Sequence, residues 1–357
     1  MAASRAAWRG ISLLSIMIAV APLAGCVAAP AEAGRVAGDA DIVTEIGSTF
    51  AEDYERAAIA VIHGDDVRTA FVGAGEDTAF EIGSITKVLT GELFAIAIER
   101  GEVSPDDMLG EHLDLGDAPV ASVTLTQLAT HHAGLPHFSE DPGWSEDFEQ
   151  AYAAREDPLD DDLAELIELA RGAEAAPESE FEYSNVGAAL LGQALASAAG
   201  IEYPELLQQR VLDPLGMVHA VLVEQPGQVP ETHAGGFNNR GEPVEPWSIG
   251  AFSPAGGVHA TLGDLIALAQ AVLDGDLERS PALDPVAEAM NPRTQIGYFW
   301  FIEQIRPRTI THHPGQTGGF GAALIINRDS DIAAIVLTNT ESDVFRLGLQ
   351  LLIAAER

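Results

Sequence analysis

Strand-patterned segments collect at the two ends of this chain, and helix-patterned segments fill its middle. Ala57 to His63 and Val67 to Val72 are apolar runs joined by Gly64-Asp65-Asp66, which reads as a hairpin. Four more strands are predicted late in the chain: Gln295 to Glu303, Arg308 to His312, Phe320 to Asn327 and Ile332 to Asn339. Helical patterns cover Ser84 to Arg100, stopped by Gly101, then Thr124 to His131, Asp160 to Arg171, Val186 to Ala199 and Pro204 to Val211. A last helix runs from Val344 to Ala355. This order predicts an α+β fold, with one antiparallel sheet assembled from distant parts of the chain and flanked by helices. Residues 51–108 and 251–357 would form the sheet domain, and 109–250 a mostly helical insertion lobe. A cleft between such lobes is where a site is expected.

The first 25 residues read as a targeting segment. Arg5 and Arg9 precede an apolar run from Ile11 to Leu23, short for a membrane span. The run ends in Leu23-Ala24-Gly25-Cys26, similar to the lipobox of bacterial lipoproteins, with Cys26 as the residue lipidated. An ordinary secretion signal cut near Ala29 or Ala31 is the alternative; either reading exports the product, to the outer face of the cell membrane or beyond it. Cys26 is the only cysteine, so a disulfide within the chain is excluded. An Ala-, Gly- and Pro-rich stretch follows to about Gly38, and residues 26–50 together are read as a tether. A formal net charge of −37 repels nucleic acid and anionic headgroups, so contact with a membrane is expected through the lipid alone. Nothing in the sequence calls for a partner chain, and a monomer is expected.

Lys87 is the only lysine, and it lies three residues after Ser84 at the start of a helix-patterned segment. Arginine cannot serve as a base at accessible pH, whereas a buried lysine ammonium can be pushed toward neutrality. Three residues of helix put hydroxyl and amine on one face, within reach of a proton transfer. Ser84 could merely cap its helix, but a cap does not account for the sole lysine at that spacing. Tyr183-Ser184-Asn185 opens another helical segment, and His313-Pro314-Gly315-Gln316-Thr317 precedes a predicted strand.

Together these segments resemble the serine hydrolases related to class C β-lactamases and D-Ala-D-Ala carboxypeptidases, marked by S-x-x-K, Y-x-N and a third K-T-G or H-x-G element. Thr126 to Pro136 is similar to that family's "LLSHTSGLP" loop, Asp213-Pro214-Leu215-Gly216-Met217 to its "DPLGM" turn, and Gly256-Gly257 with Thr261-x-x-Asp264-Leu265 to a helix start. The resemblance spans about Phe50 to Leu351 and implies a β-lactamase/transpeptidase-like fold. It implies Ser84 as nucleophile, with Lys87 or Tyr183 as base, the phenol activated by a neighbouring ammonium. The two titrate as a pair, so the base stays unassigned. Asn185 would donate to the substrate and hold Lys87, and is also a candidate cap for the helix from Val186. The oxyanion would lie between the N–H groups of Ser84 and Gln316, and His313, Gly315 and Thr317 would help bind the substrate.

His313 stands where class C β-lactamases have lysine, exchanging a permanent cation for a group charged only below about pH 6.5. That shifts weight from β-lactamase toward carboxypeptidase-like or esterase-like chemistry. His131, His132 and His137 match no familiar metal spacing and are read as loop structure, so neither metal nor cofactor is expected. Neither Ser84 nor Ser184 has the glycines of a nucleophile elbow, which excludes the α/β-hydrolase class. The expectation is an exported D-alanyl-D-alanine carboxypeptidase-like peptidase acting on cell-wall peptide. A β-lactamase or small-molecule esterase is the enzymatic rival, and a penicillin-binding sensor the non-enzymatic one.

Overall fold

The computed structural model describes residues 36–139, 141–175 and 179–357. The proposed signal segment and Cys26 lie outside the described residues. The chain begins with β1 (Val36–Gly38), α1 (Ala40–Asp53), β2 (Ala57–His63), β3 (Asp66–Val72), β4 (Phe80–Glu81) and α2 (Thr86–Glu99). The middle holds α3 (Leu125–Ala129), α4 (Pro142–Ala154), α5 (Leu163–Gly172), α6 (Asn185–Ala199) and α7 (Tyr203–Leu207). Short strands β5 (Val221–Leu222), β6 (Gly236–Phe237) and β7 (Pro243–Val244) follow, then α8 (Ser253–Gly256), β8 (Val258–Ala260) and α9 (Leu262–Leu273). The chain closes with β9 (Ala287–Glu288), β10 (Thr294–Ile296), β11 (Phe301–Ile305), β12 (Arg308–Gln316), β13 (Gly321–Asn327), β14 (Ile332–Thr338) and α10 (Phe345–Ala355).

Among the described residues, nine strands form one antiparallel sheet in the order β1-β3-β2-β14-β13-β12-β11-β10-β9. The first and last strand groups meet where β2 pairs β14, from Ala57 opposite Thr338 to His63 opposite Ile332. The α+β architecture expected from the sequence is the one observed. Alternate residues of β2, β13 and β14 feed two cores. Ala58, Ala60, Leu324 and Ile335 pack toward the side of α2, α6 and α9, while Ile59, Val61, Ile325 and Val336 pack with residues of α1 and α10. Burial on both faces explains why these strands read as unbroken apolar runs.

Three expectations need correction. Residues 36–53 carry β1 and α1, not tether: Asp39 caps α1 by accepting from the N–H groups of Asp41 and Ile42, and Ile42, Ile46 and Phe50 pack on the sheet. Their spacing of four is a helical stripe that the small-residue composition hides. The strand drawn from Gln295 to Glu303 is two strands, broken around Phe299, whose φ of 62° and N–H bond to the Ala129 carbonyl turn the chain onto α3. The helix drawn from Asp160 starts at Leu163, because Asp162 caps it through the N–H groups of Ala164 and Glu165, while the Asp161 carboxylate accepts from the Trp144 indole.

Candidate active site

Ser84 sits in a 3-10 turn, Gly83–Ile85, that feeds into α2 and places Lys87 one turn on. Two glycines let the end of β12 press against this turn. A Cβ on Gly83, whose φ is +49°, would lie 2.7 Å from the Gln316 amide nitrogen. One on Gly315 would lie 2.0 Å from the Ile82 carbonyl oxygen. Side chains are therefore barred where the turn leading into Ser84 meets the end of β12 at Gln316, as an oxyanion pocket between the Ser84 and Gln316 N–H groups would require.

Lys87 is fully buried and makes three polar contacts. Its Nζ lies 2.6 Å from Asn185 Oδ1, 2.7 Å from the Ala255 carbonyl oxygen and 3.0 Å from Ser84 Oγ. Burial holds its ammonium well below the ordinary lysine range. A neutral amine has two N–H donors and one lone pair. Amide and peptide oxygens only accept, so in the neutral amine they take the two N–H groups, and of these three contacts the hydroxyl is the one able to donate to the lone pair.

Tyr183 also hydrogen-bonds the Ser84 hydroxyl, and its ring lies 5.0 Å from Lys87 Nζ. The phenol activation expected from sequence is not the direction found. Burial pushes the Tyr183 hydroxyl above its usual range, with only the Ser84 hydrogen bond opposing it. A neutral amine offers no ammonium to stabilise a phenolate.

The loop from His131 to His137 holds the Tyr183 segment in place. The Ser184 N–H donates to His131 Nδ1 at 3.1 Å, and the Asn185 N–H to the His137 carbonyl at 2.9 Å. Ser184, not Asn185, caps α6, accepting from the Gly187 N–H. That leaves the Asn185 side chain free for Lys87 and, through Nδ2, for His137 Nε2 at 3.1 Å. Among the described residues no three His, Cys, Asp or Glu side chains converge as metal ligands.

His313 behaves differently from a protonatable cleft residue. It is fully buried behind the cleft wall, with its Nδ1–H donating to the Pro314 carbonyl. Burial lowers its pKa to about 3, well under the ordinary histidine value assumed from sequence. Ser84, Tyr183, Asn185, Gly315, Gln316 and Thr317 do line one cleft, of about 850 Å³. Sequence reasoning missed three parts of it: the Ala255 carbonyl, the His137 contact to Asn185, and an aromatic wall that includes Phe138, Phe148, Trp247 and Phe301. A backbone acceptor leaves no mark in residue identity, and the aromatics are scattered over four segments.

A model of the β-lactamase family matches residues 44–356. The chain belongs to the β-lactamase family. Its fold is that of a β-lactamase-family serine hydrolase. This family member is 30% identical over 233 residues to the D-alanyl-D-alanine-carboxypeptidase/endopeptidase AmpH of Escherichia coli K12, covering 61% of this chain and 55% of AmpH. It thus spans about half the length of that relative. Penicillin-binding protein 4 of Amycolatopsis lactamdurans is 25% identical over 314 residues, covering 80% of this chain and 78% of its own. Among solved structures, a class C β-lactamase from Rhodobacter sphaeroides superposes with a TM-score of 0.75 at 20% identity, covering 89% of this chain and all of the other. A D-alanine carboxypeptidase AmpC from Burkholderia cenocepacia gives 0.72 at 22% identity, over 88% and 99%.

Proposed function

We propose that this β-lactamase-family chain is an exported hydrolase that forms an acyl-enzyme at Ser84, with neutral Lys87 as general base. The observation that carries this reading is the buried Lys87 amine, held well below the ordinary lysine range, with Nζ 3.0 Å from Ser84 Oγ; with its two N–H groups on Asn185 and Ala255, a neutral amine would present its lone pair to the serine hydroxyl. In the first step Ser84 Oγ bonds to the substrate carbonyl carbon and its proton passes to Lys87 Nζ. The bond to the leaving amine or alkoxide then breaks, and Lys87 returns the proton to the leaving atom. Water repeats the sequence on the ester and restores Ser84. Charge on the carbonyl oxygen would meet the N–H groups of Ser84 and Gln316. Asn185 Nδ2 has one proton on His137 and a second for the substrate, while Tyr183 hydrogen-bonds the Ser84 hydroxyl as a neutral phenol. Gly315 and Thr317 shape the wall and His313 supports it as a neutral ring.

The names of the AmpH and penicillin-binding relatives support amide cleavage in D-alanyl peptides, and small esters react by the same steps. Intact-mass analysis after exposure to a β-lactam, a D-Ala-D-Ala peptide and a short aryl ester tests the assignment. An adduct on the wild type that is lost in Ser84→Ala is expected; no adduct with any reagent sinks it. Rapid turnover of a chromogenic cephalosporin would point instead to β-lactamase activity.

Export and anchoring through Cys26, with the catalytic unit acting as a monomer, complete the proposal. None of the described helices is long and apolar enough to cross a membrane. Incorporation of a lipid precursor into wild type but not Cys26→Ala is expected, and equal incorporation would end the lipoprotein reading.

A further inference from the structure

The cleft in front of Ser84 is mostly apolar and rich in aromatic rings, and among the described residues its acidic lining groups are Glu303 and Asp343. Among the described residues that line it there is no lysine or arginine. Other sources of positive charge nearby are already matched. Lys87 lies behind Ser84 with its N–H groups on Asn185 and Ala255. His312 Nε2 lies 3.6 Å from the Glu303 carboxylate. The His137 ring accepts from Asn185, and His313 donates into the backbone at Pro314.

The N-terminal end of α10 also faces the cleft, through Val344 and Phe345, and a helix N-terminus attracts anions. Asp343 occupies it, its Oδ1 accepting from the Phe345 N–H at 3.0 Å. A further acid, Glu341, accepts from the hydroxyl of the cleft residue Tyr152 at 2.6 Å. Arg346, in the first turn of α10, is exposed and outside the lining.

We infer that this cleft selects acyl donors with no free carboxylate near the scissile bond and with an aromatic or other large apolar group. Neutral esters or internal peptide bonds fit this description; C-terminal D-alanyl acids and β-lactam carboxylates do not. The inference rests on the acyl-serine reading above and chooses among its substrates. A carboxylate entering here loses hydration, meets no cation and faces Glu303 and Asp343 at reduced dielectric. An aromatic ring gains contact with Phe138, Phe148, Trp247 and Phe301.

Two aryl phenylacetates separate the possibilities, one with a 3-carboxyphenyl and one with a 3-carbamoylphenyl leaving group. Each transfers the phenylacetyl group to Ser84 and releases a phenol of comparable acidity. The full chain is mixed with either ester at low ionic strength, and Ser84 acylation is followed by rapid quench and intact mass. The carbamoyl ester is expected to acylate about tenfold faster or more, with the ratio shrinking on addition of salt and in a Glu303→Gln/Asp343→Asn variant. Equal rates, or a faster carboxyl ester, overturn the inference while leaving the acyl-serine reading in place. No adduct from either ester overturns both. A carboxyl-ester preference that disappears in Arg346→Ala would identify the cation that the lining lacks, and overturns the inference as well.

Discussion

Replacing Lys87 with methionine keeps an unbranched side chain out to Cε and removes the amine beyond it, which isolates the base. In the wild type Nζ serves the Asn185 Oδ1 and Ala255 carbonyl oxygens as donor and faces Ser84 with its lone pair. Methionine leaves two buried acceptors without that donor, at about 1–3 kcal/mol each. Relief from burying an amine offsets part of this, so the net loss of stability is expected at the lower end, about 2 kcal/mol. The kinetic effect is larger: losing a positioned general base slows acylation by about 10²–10⁴-fold, or roughly 3–5 kcal/mol of barrier. The assay is the rate of Ser84 acylation by an activated aryl ester, read by intact mass, with circular dichroism to confirm folding at the assay temperature. In the wild type the rate should climb with pH through the depressed lysine value and be level well before pH 10, because the active form is the neutral amine and burial favours that form. A rate still climbing at the ordinary lysine pKa would refute the argument. So would a Lys87→Met rate within about threefold of wild type while Tyr183→Phe is inactive, since that would make the phenol the base.

Three further outcomes follow from buried groups and close contacts. Glu92 is buried against Trp300 and Ser280, and its pKa is raised from 4.5 to about 7, so the folded state binds more protons than the unfolded state between those values. Stability should therefore fall as pH rises across that window, and Glu92→Gln should be less sensitive by on the order of 3 kcal/mol between pH 4 and pH 8 in urea melts; parallel curves would contradict this. Gly315→Ala must displace the Ile82 carbonyl, 2.0 Å from the new Cβ, so acylation should drop by about 10²–10³-fold as the Ser84 and Gln316 N–H groups separate; an unchanged rate would deny them the oxyanion role. Ser184→Ala removes the cap on α6 at about 1 kcal/mol, seen as a lower melting temperature, and a Ser184→Asn variant should recover most of it.

The antiparallel sheet was legible because β2, β13 and β14 are apolar runs of strand length, and the Ser84–Lys87 pair because a lone lysine stands out in a chain that otherwise relies on arginine. Helix α1 escaped notice although Ile42, Ile46 and Phe50 repeat at helical spacing, since small residues around them read as tether. The break at Phe299 depends on docking to Ala129, far away in sequence, and no local pattern encodes it.

Residue types and their spacing along the chain pointed to the family, the sheet built from both chain ends and Ser84, Tyr183 and Asn185 as residues of the cleft, because periodicity and short motifs are local properties. Which form those residues take was decided by tertiary structure. Burial turns Lys87 toward a neutral amine, raises the Tyr183 phenol instead of lowering it, and removes His313 from use as a cation. Each outcome follows from the cost of holding charge away from water, and that cost is set by neighbours drawn from opposite ends of the sequence.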